Sequence, residues 1–312
     1  MSNPAETFEP YRPRLLGLAY RMLGSMAESE DAVQETYLRW HATDRSKVSD
    51  PRAFLMTTTT RICLNILTSA RARHEEYVGS WLPEPVVDTA ALAPDSRTEL
   101  AEDLSYALLL TLDRLSPLER AAFLLHDVFD FSFSEVAAAL ERSEAACRQL
   151  AARARTHVRE ARPRGVASPP VRSGEMDAKH AQLMSAFQAA VQSGDLAAVT
   201  QLLASDVRVV TDGGGKVPAA LNVIEGADRV ARFLVEATRK RRPDAWWRAD
   251  FRLRFATING LPGAVVDAPE GAVQTAAVEI EGSVIRAVYI VRNPDKLRHL
   301  AKASAPRESG RG

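Results

Sequence analysis

Cysteine is almost missing from this chain. Its two copies, Cys63 and Cys147, fall in separate predicted helices and in no metal-ligand spacing. That excludes a disulfide scaffold and a zinc framework, and reads both as small buried hydrophobes of a reducing cytosol. An excess of one charge is missing too: Lys plus Arg number 40, and Asp plus Glu number 40. Nothing global therefore announces a nucleic-acid or membrane partner, and any such signal has to be local. No apolar run approaches the ~18 residues that span a bilayer. The opening residues 1–16 carry acids and prolines where a signal peptide carries a basic and then an apolar region. The expectation is a cytoplasmic protein with no membrane contact, no metal and no cofactor.

One stretch invites a cofactor. Residues 209–221 read VVTDGGGKVPAAL, three glycines and then a lysine. A phosphate loop needs Ser or Thr after that lysine and a helix beyond it. Val217 and Pro218 follow Lys216 instead, so no helix N-terminus is available for a phosphate. Three glycines do let a backbone approach a partner surface closely and take positive φ.

What is present divides the chain in two. Residues 163–176, PRGVASPPVRSGEM, have paired prolines, two glycines and no apolar period, and read as a linker. Residues 304–312 read as a disordered tail. Ahead of the linker the signals are helical. Asp50-Pro51 is an N-cap with proline at the first helical position, followed by Leu55, Ile62 and Ile66 at helical spacing. Ser96 with Glu99, and Ser116 with Glu119, form capping boxes. Residues 84–103 hold six acids against Arg97 and read as a solvated spacer.

Behind the linker the pattern is mixed. Residues 177–191 and 195–204 read as helices, and 226–239 as a third with Val230, Phe233, Leu234 and Ala237 inward. Residues 251–255, FRLRF, alternate as a half-exposed strand. Residues 278–281 alternate likewise, and 284–291, VIRAVYIV, are apolar on both faces as in a central strand. This is an α+β domain of helices and a curved antiparallel sheet.

The sharpest local signal lies at residues 131–164. Ser132 and Glu135 make a further capping box. A first helix over 134–140 turns Val136, Ala137 and Leu140 inward. After the turn Glu141-Arg142-Ser143, a second helix starts on Ser143 with Ala146, Cys147 and Leu150 inward. This is helix-turn-helix spacing, with the second helix placed for a DNA major groove. Ser143, Glu144, Arg148, Gln149, Arg153 and Arg155 are the DNA-contact candidates; arginine and glutamine can each bond a purine edge twice. Residues 141–164 hold seven arginines and three glutamates, a local +4 suited to phosphates. Glu141 dissents, because that turn position favours glycine at positive φ.

With these residues in view, the first half resembles bacterial sigma factors of the extracytoplasmic-function class. Residues 115–155 resemble sigma domain 4, reader of the −35 element. AYRMLGSMAESEDAVQETYLRWH and DPRAFLMTTTTRICLNILTSARAR resemble sigma domain 2. The resemblance implies that Asp31, Gln34 and Glu35 bind core RNA polymerase. It also implies that Arg61, Asn65, Arg71 and Arg73 contact the −10 element, with residues 41–50 as a base pocket. Three further motifs resemble the subgroup with a fused SnoaL-like domain of the NTF2-type cone fold: WLPEP (Trp81, Leu82, Pro83, Glu84, Pro85), DGGGK (Asp212, Gly213, Gly214, Gly215, Lys216) and NPDKL (Asn293, Pro294, Asp295, Lys296, Leu297). In that subgroup the glycine run lies against the segment bearing WLPEP, Trp81 being its apolar anchor, and the fused domain acts as a built-in regulator.

The expected organisation is multidomain: sigma domain 2 (1–76), an interdomain linker (77–97), sigma domain 4 (98–163), a linker (164–176), an α+β SnoaL/NTF2-like domain (177–300) and a tail (301–312). The two sigma modules are expected to stand apart. The partners implied are core RNA polymerase and promoter DNA. The alternative is a stand-alone helix-turn-helix regulator with a small-molecule sensor domain. Catalysis is not expected: Tyr289, His180, His299, Asp250 and Asp267 form no acid–base pair in the sequence reading, His299 falls in a frayed end, and Trp246 and Trp247 read as core.

Overall fold

The structure is a computed structural model. It describes residues 4–75, 77–87, 92, 104–161, 174–239 and 251–303, with the backbone alone at 70–75, 161, 174–178, 238–239 and 301–303. The Ser96–Glu99 capping box, Trp246, Trp247, Asp250, most of the linker and the tail lie outside the described residues. The chain falls into two compact units. One comprises Met1–Glu76 and Asp88–Ser168, the other Tyr77–Val87 and Pro169–Gly312.

The first unit is helical: α1 (Pro4–Phe8), α2 (Arg12–Leu23), α3 (Met26–Ala42), α4 (Pro51–Glu75), α5 (Tyr106–Asp113), α6 (Pro117–Phe123), a π-helical turn (Leu124–Val128), α7 (Phe133–Leu140) and α8 (Glu144–Ala161). Caps set the starts. Ser25 accepts from the Glu28 amide at 3.2 Å, and Asp50 from the Ala53 amide at 3.2 Å. The Ser116/Glu119 and Ser132/Glu135 boxes both close, each satisfying helix-terminal donors that would otherwise be unpaired. Leu15, Leu18, Met22, Val33, Trp40, Leu55 and Met56 are buried where α2, α3 and α4 meet. The polar run Thr57–Thr60 stays inside this helix because Thr58, Thr59 and Thr60 return their hydroxyls to carbonyls four residues back. Thr59 also meets Thr36 of α3 at 3.0 Å.

Helices α5 to α8 enclose Tyr106, Leu109, Leu112, Phe123, Leu125, Val136, Leu140, Cys147, Leu150 and Ala154. Ala139, and not Ala137, supplies the inward alanine of α7, which begins one residue earlier than expected.

The two helical modules do not stand apart. Helix α4 packs on α6 and α7 within the same unit. Much of that contact is polar. Arg14 Nη2 and Arg52 Nη2 both donate to the Phe129 carbonyl, at 2.8 and 2.7 Å. Arg120, nearly buried, donates to the Met22 carbonyl and to Asp113. Arginine-to-carbonyl bonds of this kind leave no charge signature in the sequence.

The second unit is α+β. Helices α9 (Gly174–Ser193), α10 (Leu196–Gln201) and α11 (Ala227–Arg239) are followed by α12 (Pro294–Ala303) at the end. The strands are β1 (Leu203–Asp212), β2 (Ile224–Glu225), β3 (Arg252–Ile258), β4 (Leu261–Ala268), β5 (Gly271–Glu281) and β6 (Val284–Val291), in the order β2-β1-β6-β5-β4-β3. This is the α+β arrangement expected of an NTF2/SnoaL-like domain, with VIRAVYIV central as β6. The sheet is mixed: β1 runs parallel to β6, and the other neighbours are antiparallel. The helix expected over 195–204 stops at Gln201, and β1 takes over at Leu203. Val207, Val209, Val278, Ile285 and Val288 pack against Phe187, Val199, Val230, Ala231 and Val235. In α11, Ala231 and Val235 join Val230 and Leu234 in the core, while Phe233 and Ala237 are half-buried.

Candidate functional site: recognition helix and docked strap

Helix α8 opens on Ser143, whose Oγ accepts from the Ala146 amide at 3.2 Å. Cys147, Leu150, Ala151, Ala154 and Val158 are buried on one side. The opposite side presents Glu144, Arg148, Gln149 and Arg153 to solvent. Glu141 does adopt the left-handed conformation, with φ 55°. Each candidate arginine already has a partner. Arg148 meets Glu144 at 2.6 Å, and its guanidinium lies 5.3 Å from the Phe133 ring centroid. That ring also stacks on His126, with ring centroids 3.9 Å apart. Arg153 Nε meets Glu119 Oε1 at 2.9 Å, and Arg155 Nε meets Asp127 Oδ1 at 2.7 Å. Burial alone would raise the Glu119 carboxyl, but hydrogen bonds from Ser116 and the Arg153 and His157 charges hold it below its ordinary value. Sequence reasoning missed Asp127 and Phe133. It placed Glu119 in its capping box but not beside Arg153, since nothing local marks that pairing.

Among the −10 candidates, Arg61 is committed to the second module. Its Nε donates to the Ala139 carbonyl at 2.9 Å and its Nη2 to the Ala138 carbonyl at 2.8 Å, with Glu141 at 3.2 Å. It caps the C-terminal carbonyls of α7, where the helix dipole favours a cation. Asn65 is exposed. Arg71 and Arg73 lie in the last turns of α4, where side chains are outside the described residues. An open cleft of about 600 Å³ lies between residues 43–50, α4 and α7, lined among others by Lys47, Phe54, Thr58, Arg61, Phe131 and Glu135. On α3, Asp31 and Gln34 project outward, and Glu35 pairs with Arg39 at 2.9 Å.

In the second unit the three motifs converge on Asp212, which is 0% exposed. One carboxylate oxygen accepts from Tyr77 Oη at 2.6 Å and from the Gly214 amide at 3.0 Å. The other accepts from the Leu82 amide at 2.9 Å and from Lys296 Nζ at 2.7 Å. Lys296, 10% exposed in its side chain, also donates to the Leu82 carbonyl. Its ammonium sits 4.4 Å from the Trp81 ring centroid and 4.9 Å from that of Tyr77, both within cation–π range. Asn293 Nδ2 donates to Tyr77 Oη at 2.9 Å. Burial, and then the hydrogen bond to Asp212, push the Tyr77 phenol well above its ordinary value.

The glycines are dictated by space. A Cβ on Gly213 would lie 2.3 Å from the Val217 carbonyl oxygen. One on Gly214, at φ 60°, would lie 2.2 Å from Asn293 Nδ2. The run is a tight turn, and no helix follows it. Lys216 does not face Asp212; it pairs with Asp295, whose carboxyl it holds below the ordinary value.

Residues 77–87 thus form a strap across this unit. Leu82, wholly buried, is its apolar anchor, while Trp81 is half-buried and serves Lys296. That reverses the sequence expectation, because the lysine claims the indole face. Downstream, the Val86 amide donates to Asn259 Oδ1 at 3.0 Å, and the Asn259 amide to the Val86 carbonyl at 2.8 Å. His299 lies in α12 rather than in a frayed end, and its Nε2 meets the Pro85 carbonyl at 2.7 Å. Pro83, Glu84 and Leu297 are buried, and Pro294 is the exposed first residue of α12. Tyr77, Asn259 and His299 were missed as strap partners. Only Tyr77, four residues before Trp81, had a local signal.

Elsewhere in this unit, Tyr289 Oη meets Glu279 at 2.7 Å, and Asp267 pairs with Arg254 at 3.2 Å. His180 is half-buried. No group of three metal-ligating side chains occurs among the described residues, and no described helix is long and apolar enough to cross a membrane.

Comparison with known proteins bears on both units. Residues 7–73 match the model of sigma-70 region 2, and residues 105–158 that of sigma-70 region 4. The chain is 38% identical over 297 residues to the ECF RNA polymerase sigma factor SigJ of Mycobacterium tuberculosis, covering 93% of this chain and 91% of that one. It is 28% identical over 290 residues to the probable ECF RNA polymerase sigma factor SigI of the same species, covering 92% of each. The crystal structure of M. tuberculosis SigJ is similar with a TM-score of 0.69 at 35% identity, over 94% of this chain and 97% of that one.

Proposed function

From the premise that this chain belongs to the ECF RNA polymerase sigma factors, a family that acts in transcription initiation, we propose that it directs core RNA polymerase to −35 and −10 promoter elements, with its α+β domain as a built-in regulator. Helix α8 is the −35 reader: Arg148 and Gln149 face base edges from its first turns, and Arg153 and Arg155 face phosphates or bases farther along. Asn65, Arg71 and Arg73 serve the −10 element beside the cleft at residues 43–50, and Arg61 borders that cleft while holding the C-terminal carbonyls of α7. Asp31, Gln34 and Glu35 form the polymerase-docking face of α3. No catalytic role is assigned, and a small-molecule ligand for the α+β domain is left to experiment.

The observation that carries the regulatory reading is the Asp212–Lys296 pair closed over the strap. Residues 77–87 follow α4 directly and lead toward α5, so they belong to the connection between the two promoter-binding modules. Holding them shortens the free part of that connection. Covalent attachment keeps the regulator at an effective concentration of about millimolar. Run-off transcription compares the full chain, the chain ended near residue 165, and a full chain with Asp212 and Lys296 changed to alanine. A regulator predicts altered promoter-dependent output in both variants. Unchanged output in both overturns the regulatory role. Failure of the full chain to co-elute with core polymerase would instead favour a stand-alone DNA-binding regulator.

A further inference from the structure

We infer that Glu119 and Asp127 are positioning residues that set the −35 specificity of helix α8 by fixing Arg153 and Arg155. The inference rests on the promoter-reading role proposed for α8. Both carboxylates come from outside the recognition helix, Glu119 from α6 and Asp127 from the π-helical turn. Both engage the same atom of their arginine, Nε, at 2.9 and 2.7 Å. Arginine has five N–H donors in a planar fork. In Arg155, whose Nε–H donates to Asp127, this leaves the four N–H groups of the two terminal nitrogens for a ligand while the plane of the fork is held; Arg153 is held near Glu119 as an ion pair. The arginines are 61% and 40% exposed in their side chains, and their carboxylates 13% and 17%. So the anchors are inside and the presented edges are outside.

The anchors are themselves fixed. The second oxygen of Glu119 accepts from the Ser116 amide and hydroxyl in the capping box, so its carboxylate cannot rotate without opening the N-terminus of α6. Asp127 lies in a π-helical turn, a widened segment that is uncommon and recurs at functional sites. Its second oxygen is buried without a hydrogen-bond partner among the described residues. A buried carboxylate oxygen without a donor costs stability, and orienting Arg155 accounts for its retention. Pre-ordering matters because an unheld arginine side chain loses part of its rotamer freedom on binding. The presented groups suit a DNA backbone or a purine edge, both of which accept two parallel N–H bonds.

Two carboxylates beside a DNA-binding face have a competing effect, since their charge repels phosphate. The two effects have opposite consequences. Mere screening predicts that removing the acid tightens binding to all DNA. Positioning predicts a loss of discrimination between sequences.

The test uses the full chain in holoenzyme with core polymerase and a pool of duplexes randomised over the −35 region. Enrichment of the selected sequence over scrambled duplex is read for wild type, Asp127→Ala, Asp127→Asn, Arg155→Lys and Arg155→Ala. Asparagine keeps an acceptor at the Oδ1 position, and the other oxygen already lacks a donor. Asp127→Asn is therefore expected within about threefold of wild type, and Asp127→Ala to lose about tenfold in discrimination, roughly the loss of one well-made bidentate contact. Arg155→Lys keeps the charge but not the fork. It is expected to lose about as much, and stands in if Asp127→Ala does not fold. Glu119→Gln can keep an acceptor for the Ser116 capping box only by turning its NH2 toward Arg153, so it should lose discrimination as Asp127→Ala does. Wild-type discrimination in Asp127→Ala or in Arg155→Lys overturns the inference, as does equally tightened binding in Asp127→Ala and Asp127→Asn. Wild-type discrimination in Arg155→Ala overturns the assignment of Arg155 to the promoter, whatever Asp127 does.

Discussion

Replacing Asp212 by asparagine changes one atom and removes one charge, and its expected consequence is local release of the strap. Asp212 is wholly buried, and Lys296 is left with a tenth of its side chain in contact with solvent. Breaking a buried ion pair from one side strands the other charge, at a cost of about 3–5 kcal/mol. The asparagine amide also offers a donor where the Leu82 amide or the Tyr77 hydroxyl already donates. Changing Lys296 to methionine strands the carboxylate instead, but three donors remain on it: Tyr77 Oη, the Leu82 amide and the Gly214 amide. That variant therefore belongs at the lower end of the range. The double variant strands no charge and retains an amide in place of the carboxylate, so it is expected to cost about 3 kcal/mol, well below the sum of the singles. The coupling energy is then at least about 2 kcal/mol, where independent sites agree within ~0.5 kcal/mol. A chain of two units does not guarantee two-state melting, so the measurement is amide exchange of Leu82 and Val86, whose N–H groups bond Asp212 and Asn259. A 3 kcal/mol loss raises the opening constant about 100-fold. Single variants that add up, with Leu82 exchange near the wild-type rate, would falsify the view that this pair holds the strap.

Three further outcomes are expected. Glu141→Gly removes a non-glycine residue at φ 55° and trades away an exposed pair with Arg61; the strain is about 1 kcal/mol and the pair at most about that, so urea melting should show a net gain of a few tenths to 1 kcal/mol, and a loss beyond 1 kcal/mol would mean the pair outweighs the strain. Tyr77 is a phenol whose pKa is raised on folding, so its contribution is complete below its unfolded pKa of about 10 and is lost as pH rises beyond that. Strap protection should therefore fall above about pH 10 in wild type and lose that pH dependence in Tyr77→Phe, as read by exchange-competent proteolysis of residues 77–87. Asn259→Ala removes the acceptor of the buried Val86 amide and puts a side chain less tolerant of φ 51° at that position; a loss of about 2–3 kcal/mol in local exchange is expected.

The helical starts, helix α8 and the central strand VIRAVYIV were all legible as sequence, because caps and apolar periods are local: Ser116 with Glu119, Ser132 with Glu135, and Ser143 before a run of inward Cys147 and Leu150. Even the discord at Glu141 was local, since turn geometry demands positive φ from whichever residue stands there. What only the tertiary structure decided was pairing across distance. Arg61, a charge read as facing DNA, ends on the carbonyls of Ala138 and Ala139, because every residue has a carbonyl and none marks itself as a partner. Lys216, read as flanking the glycines with Asp212, pairs with Asp295. Asp212 goes instead to Lys296, 84 residues away, and to Tyr77, 135 residues away. The chain carries its helices and its motifs in its own order of residues; which charge meets which carboxylate is settled by burial, since only where water is excluded does leaving a donor or an ion unpaired cost enough to select one arrangement.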